Sequence, residues 1–240
     1  MEKATIASFS GGLAARDDTQ YAQTRASLRL RRSMGLVFGI WLIGLLGHWT
    51  PLREWPALFL YVLGTIVLTV YHCTQQHDWR GALITRHNLR AALMWGAGVG
   101  LLLGLVGTAN TLIYYANGGQ PMAQMQAILI ELGLAYLFPL LALAEEWLWR
   151  GMLLSGLIER GMNQHLAVAI TTLAYMANHF FVAPVGWLER GMMALMGLPI
   201  GLLAGYLVIK TRNAWSAVAL HTAIMANMMV IAFLSAPPSR

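Results

Sequence analysis

The sequence predicts an all-α polytopic membrane helix bundle of about seven transmembrane helices, with six to eight allowed. Three observations carry that expectation. First, 58% of the 240 residues are hydrophobic and only 11% are charged, with a mean hydropathy of +0.57. A soluble domain is nearer 45–50% apolar and about 25% charged. Second, the apolar residues gather into runs close to the ~20 residues that a bilayer-spanning helix needs. Third, the basic residues fall on alternate connections between those runs. Together these exclude a soluble globular enzyme. They also exclude a disordered chain, which needs high charge and little apolar content. Six to eight spans use up most of the chain and leave no room for a second soluble domain.

Residues 1–32 are polar and carry Lys3, Arg16, Arg25, Arg29, Arg31 and Arg32. They read as a cytoplasmic tail, with a partly amphipathic surface helix near Tyr21 to Arg32. No apolar stretch opens the sequence, so no cleavable signal peptide is expected. A single transmembrane domain is expected over 33–236. Its spans are Ser33 to Trp49, Trp55 to Tyr71, Ala91 to Tyr115, a long stretch Met122 to Ile158 with Pro139 inside it, Gln164 to Val182, Gly191 to Ile209, and Ala214 to Leu234. Between them, Gln75 to Arg90 reads as a polar loop and Asn117-Gly118-Gly119 as a chain-breaking turn. Residues 237–240 form a tail that begins Pro237-Pro238 and cannot continue a helix.

With the N-terminus inside, the cytoplasmic segments hold about a dozen basic residues and the outer segments about three, Arg53, Arg190 and Arg240. That bias favours a cytoplasmic N-terminus and an outer C-terminus. It also accounts for the net charge of +6 and the pI near 9.8 without nucleic acid as a partner. The expected partners are the lipid bilayer and a peptide or protein substrate. The composition points to a bacterial inner membrane. The single cysteine, Cys73, rules out an internal disulfide and a cysteine zinc cluster.

Glycines recur four apart at Gly96, Gly100 and Gly104, and again at Gly197, Gly201 and Gly205. Small residues at that spacing let helix backbones approach closely in lipid, which is a packing signal without chemistry. The chemistry must come from ionisable groups inside spans, where they are costly and rare. Those available are Glu131, Glu145, Glu146, Arg150, His179 and His221. Glu131 stands near the start of the long stretch, where a carboxylate reaches the interface or favours a helix N-terminus. His48, His72, His77, His87 and His165 lie at or near interfaces and read as surface groups.

Glu146 and Arg150 are four apart on one helix face and can pair. Glu145 is turned about 100° from Glu146 and is left free. Two adjacent carboxylates in a low-dielectric site repel, and a carboxylate poised nearer neutrality is what a general base needs. At 1.5 Å per residue, Glu145 and His179 lie about 21 and 22 Å in from the cytoplasmic boundary, and His221 about 12 Å. All three fall within a hydrocarbon core of about 30 Å. Three chain-distant polar residues in one slab imply one buried site, although each alone could equally serve as helix glue.

Glu145-Glu146-Trp-Leu-Trp-Arg150-Gly151, then Tyr175-Met-Ala-Asn-His179, then a last-helix His221 with a nearby Asn resembles the CAAX-protease and bacteriocin-processing family of intramembrane proteases. The likeness runs from about residue 126 to 235. Two positions depart from the family pattern. Tyr175 stands where Phe is usual, and Met225 stands four residues after His221 where Asn is usual. Asn227 is turned about 120° from His221, and Asn178 beside His179 is a substitute candidate.

The resemblance implies hydrolysis of a peptide bond near the end of a membrane-associated or exported substrate, such as one with a C-terminal sorting or leader segment. Glu145, helped by His179, would activate water. His221 and an Asn would stabilise the oxyanion, and Glu146 with Arg150 would hold the geometry. No cofactor is expected. The alternative is a zinc site made by Glu145, His179 and His221 with an open fourth position. Two non-enzymatic readings stand beside these. One is an inactive scaffold or immunity-type protein of the same fold. The other is a proton-coupled transporter, which would show repeated halves that this sequence lacks.

Overall fold

A computed structural model describes the backbone of residues 3–235 and the side chains of residues 21–230. The tail expected at 237–240 lies outside the described residues. Among the described residues all regular structure is helical, in eight segments: α1 (Lys3–Gly47), α2 (Trp55–Gln75), α3 (Leu89–Ala116), α4 (Ala123–Glu131), α5 (Leu134–Glu159), α6 (Gln164–Val182), α7 (Trp187–Thr211) and α8 (Trp215–Ser235). Five are long and apolar enough to cross a membrane: α1 over Tyr21–Gly47, α2, α3, α6 and α7. Counting α4 and α5 as one broken span makes six. The helical membrane class is as expected. The count by length and composition is five or six, the latter within the six to eight expected, and α8 adds a shorter apolar helix over Trp215–Val230.

The long fourth stretch breaks at a different place from its proline. The 77° bend between α4 and α5 falls just before Leu134, where Gly133 adopts a φ of +69° that glycine alone adopts freely. Pro139 instead sits in the first turn of the α-helical part of α5, where a missing N–H leaves nothing unpaired. Glu131 therefore ends a short helix in an exposed position and does not start a long one.

Apolar burial does not drive helices together in lipid, so close backbone packing must. The glycine rows supply it. Gly96 and Gly100 lie against the main chain of Ser216 and Leu220, joining α3 to α8. Gly201 and Gly205 lie against Thr172 and Val168, joining α7 to α6.

Each end of the bundle is closed by a buried ion cluster. At one end α1 runs unbroken through the arginine-rich stretch, and Arg29 is fully buried. It pairs with Asp78 and places Nη2 2.7 Å from Glu159 Oε2. His72, expected at the surface, is fully buried with Nε2 3.0 Å from Asp78 Oδ2. The loop between α2 and α3 is equally unlike a free polar loop. Ala82 and Ile84 pack with Cys73, Trp147, Met152, Ala214 and Val218, and the Ala214 N–H donates to the Leu83 carbonyl at 2.8 Å. At the opposite end Glu54 pairs with Arg190 and lies 2.7 Å from His48 Nδ1.

Burial alone would raise the Asp78 carboxyl, but the His72 hydrogen bond and the Arg29 charge hold it below the ordinary carboxylate range. Its stabilisation is therefore complete above the unfolded-state value, about pH 4, and is lost as pH falls through the lower folded value. In detergent melts, Asp78→Asn is expected to cost about 3 kcal/mol at neutral pH and to show a flatter acid dependence than wild type. Gly100→Leu, which drives a side chain into the α8 main chain, is expected to cost about 3 kcal/mol. Gly98→Ala, which meets nothing within 4 Å, is expected to be neutral or slightly stabilising in the same melts.

Candidate active site

The centre of the bundle holds the ionisable residues singled out from sequence. After Glu146, helix α5 widens into a π-helical stretch, Trp147–Leu154, and every residue of it is buried. Such wide turns are frequent at functional sites. The stretch brings Trp149 and Arg150 to the same region as the two carboxylates. Helix α2 has its own wide turn, Leu60–Gly64, which carries Tyr61. The two meet where the Trp149 indole N–H donates to the Tyr61 hydroxyl oxygen at 2.6 Å.

The carboxylates are held differently. Arg150 Nη1 lies 3.2 Å from Glu146 Oε2 and donates to Glu146 Oε1 at 3.3 Å, as the spacing of four implies. His221 Nδ1 lies 2.9 Å from Glu146 Oε1 and 3.4 Å from Glu145 Oε2. Glu145 has no ion pair to Arg150 among the described contacts. It meets His221 and, at 3.5 Å, the Tyr175 hydroxyl. The Arg150 guanidinium lies over the Tyr175 ring at 4.9 Å.

His179 stands one turn from the end of α6 and packs edge-on to Tyr175, with ring centres 4.9 Å apart. Its Nδ1 lies 3.0 Å from the Tyr175 carbonyl oxygen. A ring that donates Nδ1–H to a backbone carbonyl keeps Nε2 as its free, basic nitrogen. Gly197 makes room behind it: a Cβ there would meet His179 Cε1 at 3.4 Å.

Glu145, Glu146, Arg150, His179 and His221 thus lie in one cluster built on α5, α6 and α8. His221 reaches it from the second turn of α8. The α2–α3 loop packs against Gly151, where a Cβ would meet the Ala82 carbonyl oxygen at 3.2 Å, and the start of α8 bonds to the Leu83 carbonyl of that loop. The two asparagines face elsewhere. The Asn178 carbonyl oxygen accepts from the Trp41 indole at 3.0 Å, on the α1 side. Asn227 lies against Gly104 of α3. Among the described residues, no three His, Cys, Asp or Glu side chains are arranged to hold a metal ion, and Glu145, His179 and His221 do not converge as such a set. Sequence reasoning missed Tyr61, whose only signal was a hydroxyl inside an apolar span.

Ionisable groups gathered inside a helical membrane bundle define an integral multi-pass protein with its site at the bundle centre. Residues 127–227 match the model of a family described as Rce1-like, type II CAAX prenyl endopeptidase Rce1-like. This is the family that the three motifs resemble, and it supports a protease embedded in the membrane. No curated protein and no solved structure matches the chain.

Arg150→Met removes the guanidinium partner of Glu146 and leaves it only His221, and is expected to cost about 3 kcal/mol in detergent unfolding. Glu145→Gln keeps shape and hydrogen bonding and is expected to cost about 1 kcal/mol.

Proposed function

We propose that this protein is an intramembrane endopeptidase that cleaves near the end of a membrane-associated or exported peptide, with Glu145 activating water. The observation that carries this reading is the unequal treatment of two neighbouring carboxylates. Glu146 is tied to Arg150 and His221, whereas Glu145 has no guanidinium partner among the described contacts and is the carboxylate left to exchange a proton. With His221 protonated, the cluster of two carboxylates, guanidinium and imidazolium is neutral overall, which lessens the cost of keeping it in the membrane.

Water between Glu145 and His179 gives a proton to Glu145 while its oxygen adds to the substrate carbonyl carbon. The carbonyl oxygen takes up the negative charge and is met by His221. Collapse of the intermediate breaks the C–N bond, and the proton passes to the leaving amine through Glu145 or His179. His179 lies one turn from the end of α6 that faces outward if the N-terminus is cytoplasmic. That position favours an exported or membrane-anchored peptide, such as one with a C-terminal sorting segment.

The test is cleavage of tagged candidate substrates in membranes. Glu145→Gln is expected to lower cleavage by about 10²–10⁴, and His179→Ala by a similar factor, with the proteins still folded. Wild-type activity is expected to survive a strong chelator. Loss with chelator and recovery with zinc would replace the water-activating glutamate by a zinc site. Equal cleavage by wild type and Glu145→Gln would remove Glu145 as the base, whereas no cleavage by either would favour a scaffold.

A further inference from the structure

The buried ion cluster at the Arg29 end of the bundle spends its carboxylates on one arginine. Arg29 pairs with Asp78 and places Nη2 2.7 Å from Glu159 Oε2, and Asp78 Oδ2 also lies 3.0 Å from His72 Nε2. Beside this cluster lies a cavity of about 420 Å³, lined by Arg25, His77, Arg80, Gly81 and both carboxylate residues. Arg25, His77 and Arg80 make no ion pair among the described contacts, and Arg25 Nε is buried without a hydrogen-bond partner. Glu159 is partly exposed, and only its Oε2 is taken by Arg29. Two features shape the floor. A Cβ at Gly81 would strike the Asp78 carboxylate and the Arg29 guanidinium, so only glycine lets the loop close onto that pair. His77 holds a φ of +50°, a left-handed backbone uncommon for a residue with a side chain. With Arg29 included, three guanidiniums face two carboxylates, and the cavity keeps a surplus positive charge.

We propose that this cavity is a binding site for a phosphoethanolamine headgroup, with its phosphate on Arg25 and Arg80 and its ammonium on Glu159. A guanidinium presents a planar fork of donors that matches phosphate oxygens, and both forks lack an anion. Glu159 Oε1 is the acceptor left over on the same walls. A simple phosphate would answer the arginines and leave that carboxylate facing a like charge. A simple amine would answer Glu159 and face the guanidiniums. A zwitterion with its two charges two carbons apart meets both. The surroundings favour a lipid as the source of this group. The Arg32 guanidinium lies 5.2 Å from the ring centre of half-exposed Tyr71, six residues before His77. Further along α1 and α2, Met34, Phe38 and Val67 are exposed apolar side chains on which acyl chains can lie. A headgroup held here bridges α1, the α2–α3 loop and the end of α5, and it stands apart from the central carboxylates.

The full-length protein in dodecyl maltoside is titrated with phosphatidylethanolamine, phosphatidylcholine and phosphatidylglycerol of identical acyl chains, and with soluble O-phosphoethanolamine. Binding is read by native mass spectrometry and by the shift in thermal melting. Phosphatidylethanolamine is expected to bind about tenfold tighter than phosphatidylcholine, whose methylated ammonium donates no hydrogen bond, and than phosphatidylglycerol, which has no ammonium. The double variant Arg25→Gln with Arg80→Gln is expected to weaken that binding by at least about tenfold. Without lipid it is expected to melt within about 2 °C of wild type, since neither arginine makes an ion pair. Glu159→Gln is expected to erase the preference for phosphatidylethanolamine over phosphatidylglycerol while Arg29 keeps Asp78. Equal affinity for the three lipids, or binding unchanged in the double arginine variant, would overturn the proposal. Phosphatidylglycerol bound tighter than phosphatidylethanolamine would overturn it too, by making the cavity a plain anion site. O-phosphoethanolamine bound as tightly as the lipid would support the site and assign it to a free solute. A lipid bound at least about tenfold tighter than that solute assigns it to the membrane.

Discussion

The bundle depends on the burial of Glu146 with Arg150 and His221. A single unpaired charge at the centre of a bilayer costs several kcal/mol even on the mildest scales. Glu146 therefore draws a guanidinium from its own helix and an imidazole from α8. Once that pairing is made, α5 and α8 are fixed in register. The glycine row of α3 then packs on α8, and α6 brings Tyr175 against the remaining carboxylate with His179 packed on the Tyr175 ring. A pairing that holds the helices in place also leaves Glu145 as the group without an equivalent partner.

Two further buried ion clusters pin the ends. Arg29 with Asp78, His72 and Glu159 ties α1 to the α2–α3 loop and to the end of α5. Glu54 with Arg190 and His48 ties the start of α2 to α7 and to the end of α1. Polar clusters near the two membrane faces and one at the centre give a bundle whose apolar faces contact lipid and whose charges face one another. The central cluster is closed: Glu145 is 5% exposed and His179 9%. A substrate must therefore enter by displacing some part of this packing.

Much of this was legible because charge is so scarce in the sequence. Glu145, Glu146, Arg150, His179 and His221 stand out against apolar runs, and their order and spacing carry the family resemblance. What escaped depends on partners distant in the chain. The arginine-rich stretch around Arg29 reads as a tail until Asp78 and Glu159 are seen to receive it. His72 reads as a surface group for the same reason. The break at Gly133 rather than Pro139 turns on a backbone angle that composition does not reveal. Tyr61 looks like one more aromatic of an apolar span, and only the approach of the Trp149 indole shows what its hydroxyl binds. The packing of the α2–α3 loop was not legible either: Ala82 and Ile84 lie in a buried cluster with Trp147 and Met152, and the start of α8 bonds to the Leu83 carbonyl.

The central claim is that Glu145 acts on water and does not itself attack the substrate. Single-turnover cleavage in water enriched in oxygen-18, with mass analysis of the new C-terminal carboxyl, tests this most directly. Direct attack by activated water puts one heavy oxygen into the product of the very first turnover. A first-turnover product that instead carries unlabelled oxygen drawn from the Glu145 carboxylate would mean an acyl intermediate on the protein, and would contradict the account.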